Sequence, residues 1–171
     1  MLRYLLLLII PVISKIKLGL HSDTKKTGSS RILEIPLKNS NNEAYSIALS
    51  IGTPPQHFEL LLSTGNSSLS WIVSSTCFNC RMPVNAYDIN KSTSYTSQGI
   101  LGTLDNGYST FTTLLSTDNF KFEDSSESVQ YFWLFTQNLN YPGQIIEGVL
   151  DLGLNNLGYP LLLRNCIMIE L

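Results

Sequence analysis

The chain has 171 residues, a formal net charge of −2 and only 14% charged residues. Hydrophobic residues make up 43% of the sequence, which is enough to bury one sizeable core in a single domain. The small net charge excludes the strongly basic composition typical of nucleic-acid binders, so we expect no nucleic-acid partner.

The N-terminal residues predict a targeting signal. Arg3 gives a short basic start, and the apolar run of ten residues at 4–13 is too short to span a bilayer. We predict a signal peptide at residues 1–14, and the alternatives are a retained membrane anchor or a buried first strand. Residues 15–33 form a short polar, propeptide-like leader, most of which has the composition of a flexible segment. After cleavage of the signal, no membrane association is expected.

From residue 32 onward the sequence has the pattern of β-strands. Apolar side chains alternate with Ser and Ala over residues 45–51, the period of a half-buried strand. Gly-Thr-Pro-Pro at 52–55 predicts a turn, because proline fixes φ and lacks an N–H donor. Further strands are predicted at residues 58–62, 69–73, 111–115, 120–122 and 129–135. Short spacing between turn residues favours an all-β fold, and residues 159–171 are the one stretch compatible with a helix.

Several motifs follow one another in a specific order. Residues 51–56 read Ile-Gly-Thr-Pro-Pro-Gln, residues 63–66 read Ser-Thr-Gly-Asn, and residues 147–153 read Glu-Gly-Val-Leu-Asp-Leu-Gly. Between them lie Leu-Ser-Trp-Ile-Val-Ser at 69–74 and Tyr-Asp-Ile-Asn-Lys-Ser-Thr-Ser at 87–94. This series resembles the N-terminal lobe of pepsin-like aspartic peptidases, whose patterns include Asp-Thr-Gly-Ser and Asp-Gly-Ile-Leu-Gly-Leu-Gly. The resemblance implies an all-β single lobe, with antiparallel sheets and a flap hairpin, truncated and spanning residues 34–171.

The resemblance also assigns the residues of a site. Ser63 stands where the family has its catalytic aspartate, whereas Thr64 and Gly65 keep the family's residues. The flap tyrosine position falls on an asparagine, and a tyrosine follows two residues later. The residues assigned to substrate binding in this way are Asn106, Gly107, Tyr108 and Trp71.

The chemistry of the family requires two carboxylates, one from each lobe, which share a proton. A serine hydroxyl stays protonated near neutral pH and is a poor base for activating water. Neither Asp-Thr-Gly nor Asp-Ser-Gly occurs anywhere else in the sequence to supply the second carboxylate. We therefore expect an aspartic endopeptidase lobe that is catalytically inactive as this chain. The alternatives are a non-catalytic secreted protein that binds peptides or a partner chain in the half-cleft, and a truncated gene product without function.

Ser63 could act as a nucleophile only beside a positioned base. The chain has two histidines, His21 in the leader and His57 six residues before Ser63. We expect His57 to lie on an exposed strand position, so that a surface role is the better interpretation.

The cysteines predict a small covalent loop. Cys77 and Cys80, in a chain with a signal peptide, indicate a local disulfide. A zinc half-site is the alternative, but no second Cys or His pair completes it, so no metal and no cofactor are expected. Cys166 is left over, either as a core thiol or with a partner elsewhere. Asn90 begins an Asn-Lys-Ser sequon in a polar loop and is a predicted glycosylation site.

The family resemblance implies a polypeptide substrate or partner chain and a secreted, endomembrane or lysosome-like compartment. A lone lobe would expose the surface that a second lobe covers, which predicts self-association. The apolar residues expected on that surface are Leu152, Leu154, Leu157, Leu161, Leu162 and Ile167.

Overall fold

The computed structural model describes residues 15–20, 31–40, 43–64, 70–105, 109–122, 125, 127–139, 146–152 and 167–170. These ranges contain eleven strands and one short 3₁₀ turn at Ile89–Lys91, which confirms the all-β expectation. The strands are β1 (Lys15–Leu20), β2 (Arg31–Pro36), β3 (Lys38–Ser40), β4 (Ala44–Ile51), β5 (Gln56–Ser63), β6 (Trp71–Phe78), β7 (Thr96–Asp105), β8 (Thr110–Lys121), β9 (Ser128–Asn138), β10 (Gly148–Asp151) and β11 (Ile167–Glu170).

Strands β3 to β10 form one mixed sheet in the order β3-β4-β5-β10-β6-β9-β8-β7. Strand β4 also pairs with β8, through Ser50↔Lys121 and Ile51↔Phe120. This second pairing closes six strands into a barrel, in the order β4-β5-β10-β6-β9-β8. Most pairs are antiparallel, as expected, but β5–β10 and β6–β9 are parallel. Strands β1, β2 and β11 form a separate antiparallel sheet in the order β11-β1-β2.

The inside of the barrel holds the main apolar core. Alternating positions of β4 and β5 point inward, as their period-2 pattern predicts, and meet side chains from the facing strands. Each large side chain that is fully removed from water stabilises the fold by about 1.5–3 kcal/mol. The buried strand residues of this cluster include Ile47, Leu49, Ile51, Phe58, Leu60, Ile72, Phe120, Phe132, Leu134 and Leu150.

A second, smaller cluster lies on the opposite face of the central strands. Its buried members are Trp71, Val73, Cys77, Phe111, Phe135 and Val149, with Leu61 packed against them. The two clusters therefore use alternate residues of the same strands: Leu60 and Leu150 belong to the first, and Leu61 and Val149 to the second. This division fixes which side chains share a face with the end of β5.

Four parts of the strand prediction differ from the structure. The segments 111–115 and 120–122 belong to one long strand, β8, and β7 was not predicted because most of its residues are exposed and lack apolar alternation. Residues 15–20 form a strand instead of part of a flexible leader, since their backbone pairs with both β2 and β11. The helical interpretation of residues 159–171 is wrong for Ile167–Glu170, which is strand β11.

A buried carboxylate ties the loop after Tyr87 to the barrel. Asp118 on β8 is fully buried and accepts hydrogen bonds from the hydroxyls of Tyr87, Ser92 (2.7 Å) and Ser94 (2.6 Å). Burial and the hydrogen bond to Asp118 raise the pKa of Tyr87. Gly52 in the turn after β4 has φ of +91°, and a Cβ there would lie 2.7 Å from the Ser92 hydroxyl oxygen, so both backbone and space require glycine.

Candidate functional site

Ser63 is the last residue of β5, and the exposed Thr64 forms the bend that follows it. Ser63 is partly buried, and its carbonyl accepts a hydrogen bond of 2.7 Å from the N–H of Leu152. Gly65 lies outside the described residues. The position that the family resemblance assigns to the catalytic aspartate is therefore the end of a central barrel strand.

Strand β10 places a carboxylate beside Ser63. The two strands run parallel, with Val149 opposite Leu61 and Asp151 opposite Ser63. Asp151 is 5% exposed, and its backbone N–H donates to the Ser70 hydroxyl oxygen at 3.0 Å. Sequence reasoning did not select Asp151 as a site residue. The signal was present, because Asp151 stands at a glycine of the family pattern quoted above.

Gly148 allows β10 to enter this arrangement. A Cβ at this position would lie 2.3 Å from the carbonyl oxygen of Trp71 and 3.0 Å from the Cα of Ile72. Strand β10 thus approaches β6 too closely for any side chain at its first residue. The glycine of this motif serves backbone packing, which in turn sets the register that brings Asp151 to Ser63.

Trp71, assigned by resemblance to substrate binding, is buried in the second cluster. Its ring stacks on Phe135 with centroids 4.2 Å apart and an interplanar angle of 8°. Phe135 stacks in turn on Phe111 of β8, at 4.3 Å. This row of three rings links the strand beside Asp151 to the β7–β8 hairpin, and the substrate-binding role of Trp71 stays a prediction.

The predicted flap falls between two paired strands. Strands β7 and β8 are antiparallel up to the pair Asp105↔Thr110. Residues 106–108, which include the assigned residues Asn106, Gly107 and Tyr108, lie outside the described part of the chain. Their connection of two antiparallel strands is what a flap hairpin requires, and their roles remain predictions.

His57 is exposed near the start of β5, while Ser63 ends the same strand. Six residues of extended strand separate the two by about 20 Å, so His57 does not reach the Ser63 hydroxyl as a base. Instead, His57 lines a surface depression of about 380 Å³ together with Ser50, Lys121 and Glu127.

Two other sequence assignments lie within the described residues. Cys77 and Cys80 form the expected disulfide, with Cα atoms 5.5 Å apart, and Cys77 is buried in the second cluster. Asn90 is exposed in the 3₁₀ turn, and its backbone N–H donates to the Asp88 carboxylate at 3.0 Å. Its glycosylation stays a prediction.

The described residues contain no group of three or more His, Cys, Asp or Glu side chains arranged to hold a metal ion. Within the same ranges, no helix is long and apolar enough to cross a membrane.

Comparison with known proteins gives a consistent result. A family model described as eukaryotic aspartyl protease matches residues 44–160. Similar proteins include Vacuolar protease A of Neurospora crassa, which is 30% identical over 70% of this chain and 31% of its own length. Pepsin B of Canis lupus familiaris is 31% identical over 76% of the chain and 35% of its own length. Procardosin-A of Cynara cardunculus is 28% identical over 83% of the chain and 28% of its own length. The chain thus spans about a third of the length of these relatives.

Proposed function

Since this chain belongs to the eukaryotic aspartyl protease family, we propose that it is a polypeptide-binding lobe that does not hydrolyse peptides by itself. The observation that carries this proposal is Ser63 at the end of β5, where the family pattern has its catalytic aspartate. The matched relatives are named as proteases, which supports polypeptides as the ligand class.

The proposed lack of hydrolysis follows from proton chemistry. The family's reaction needs two carboxylates close enough to share one proton, so that one acts as base and the other as acid. A serine hydroxyl does not take a proton from water near neutral or acid pH. Because His57 lies about 20 Å along the strand, it does not replace the missing base.

A peptidase assay tests this part of the proposal. The purified chain is incubated with an unfolded protein substrate at acid pH, with and without pepstatin, and the products are followed by mass spectrometry. We expect no pepstatin-sensitive cleavage by the unmodified chain. Pepstatin-sensitive cleavage by the unmodified chain, with contaminants excluded, would refute the proposal.

Binding is tested separately with a fluorescent peptide that carries a statine-type hydroxyl, titrated with the chain and followed by anisotropy. Saturable binding at micromolar concentration supports a polypeptide-binding lobe. A flat titration with folded protein would leave the lobe without the proposed ligand class and would overturn this function.

We propose a secreted or lysosome-like location. The apolar run at residues 4–13, the Cys77–Cys80 disulfide and the word vacuolar in a relative's name all support an oxidising or endomembrane route. Expression in a secretory host, followed by N-terminal sequencing of the product, tests cleavage after residue 14. A product that starts at Met1 and stays in the cytosol would contradict the signal peptide.

Self-association is a further proposal. Of the apolar residues expected on a bare surface, Leu152 is partly buried against the main core, and the side chains of the others lie outside the described residues. Sedimentation velocity at tens of micromolar tests the proposal. A monodisperse, cooperatively unfolding monomer would argue against it.

A further inference from the structure

Ser63 and Asp151 occupy opposed positions on neighbouring parallel strands. Partner residues in such a pair point to the same face of the sheet, and the strands lie about 4.8 Å apart. One step earlier on this face, Leu61 and Val149 both pack into the second cluster. The side chains of Ser63 and Asp151 therefore share the face that carries Trp71.

The surroundings of Asp151 are those of a core strand. All four residues of β10 are buried, and Asp151 is 5% exposed. A buried carboxylate is costly unless donors surround it, so this side chain needs hydroxyl or N–H partners. Two other acidic residues, Glu59 on β5 and Glu147 just before β10, already have other partners. Glu59 accepts hydrogen bonds from Lys38 and Ser46. Glu147 accepts from the Asn85 side chain and from the Glu59 N–H.

We propose that Asp151 supplies the carboxylate of this site in place of the aspartate missing at position 63. The Ser63 hydroxyl donates to it from the adjacent strand, and the pair binds a hydrogen-bond donor of a bound polypeptide. The polypeptide ligand rests on the proposed function, whereas the Ser63–Asp151 pair does not. One carboxylate in this position binds a donor without forming the shared-proton dyad, so the inference agrees with the proposed absence of hydrolysis.

Carboxyl ¹³C NMR of the full chain, labelled at aspartate, tests the pair without any ligand. The Asp151 resonance is assigned as the one lost in Asp151→Asn. In Ser63→Ala the titration midpoint of Asp151 moves upward by about one unit, because the ionised form loses a donor. In Ser63→Asp two carboxylates meet, and the resonance titrates in two coupled steps, the second raised by about two units or more.

The matched control is Ser75→Ala, which removes an exposed serine from neighbouring β6 and leaves the Asp151 titration unchanged. Urea unfolding of each variant confirms that it is folded. If Ser63→Ala leaves the Asp151 titration where it is in the unmodified chain, the proposed pair is wrong. This outcome stands even if Ser63→Asp does not fold.

The statine-type peptide tests the ligand. Asp151→Asn, which keeps the shape of the side chain, is expected to weaken binding at least tenfold, and Ser75→Ala to leave it unchanged. Equal binding by Asp151→Asn and the unmodified chain would overturn Asp151 as the site carboxylate while the proposed function stands. If the unmodified chain does not bind, the proposed function and the ligand both fail, and NMR alone decides the pair.

Discussion

Replacing Tyr87 by Phe removes the hydroxyl that donates a hydrogen bond to the buried Asp118 carboxylate, and it leaves the aromatic ring in place. The Tyr87 ring is fully buried and packs against Phe58 and Phe132, with centroids at 6.2 and 5.8 Å. These ring contacts are kept in the variant. Any change in stability therefore reports the hydrogen bond from the hydroxyl to Asp118.

The expected magnitude follows from the contacts of Asp118. A hydrogen bond to a charged acceptor contributes about 1.5–3 kcal/mol to stability. The carboxylate keeps its bonds from Ser92 at 2.7 Å and Ser94 at 2.6 Å, so it is not left without donors. We expect Tyr87→Phe to lower the free energy of unfolding by about 2 kcal/mol, within the range for a charged acceptor.

Urea unfolding of the full chain near neutral pH, followed by tryptophan fluorescence, measures the change at constant m-value. Tyr95→Phe is the matched control, because the Tyr95 hydroxyl forms a hydrogen bond with the neutral Ser116 hydroxyl, at 3.0 Å, and we expect a cost of about 1 kcal/mol. If the two variants lose equal stability, or if Tyr87→Phe loses less than about 0.5 kcal/mol, then the Tyr87–Asp118 hydrogen bond does not contribute the larger stability expected of a bond to a charged acceptor.

The pKa of Tyr87 is raised in the folded protein, so the stability that its protonated hydroxyl contributes is complete below about pH 10, the tyrosine pKa of the unfolded chain, and is lost as pH rises above that value. Urea unfolding at a series of alkaline pH values should show this loss in the unmodified chain, and the Tyr87 part of it should be missing in Tyr87→Phe. Gly148→Ala should lower the free energy of unfolding by about 3 kcal/mol or prevent folding, whereas Gly99→Ala, strained only by its φ of +69°, should cost about 1 kcal/mol by the same assay. The pKa of Glu59 is lowered chiefly by its hydrogen bond from Ser46, so the small stabilisation from Glu59 is present above the unfolded pKa and is lost as pH falls through the folded pKa. In Ser46→Ala the folded pKa moves back toward the unfolded one, so the stability lost on acidification, measured by urea unfolding, should be smaller and should be complete at a higher pH.

Local sequence pattern predicted the strands in which apolar residues alternate with polar or small ones. The segments 45–51 and 58–62 lie in β4 and β5, and the Gly-Thr-Pro-Pro turn lies between them. Strand β7 was missed because it is an edge strand of the sheet with mostly exposed residues, so it carries no apolar period. Strand β1 also alternates apolar and other residues, but the polar residues that follow it predict a flexible leader. Its backbone pairing with β2 and β11, which no local pattern reveals, makes it a strand.

The sequence by itself determined that Ser63 stands in the place of the family's aspartate directly after a predicted strand, that Cys77 and Cys80 form a local disulfide, and that the fold is all-β. Only the tertiary structure decided that Asp151 stands opposite Ser63 and that Asp118 gathers the hydroxyls of Tyr87, Ser92 and Ser94. The physical reason is that side-chain period fixes the faces of one strand, which is local information. The register between β5 and β10 depends on close backbone approach at Gly148 and on how distant strands fill the barrel, and neither is written in any single segment.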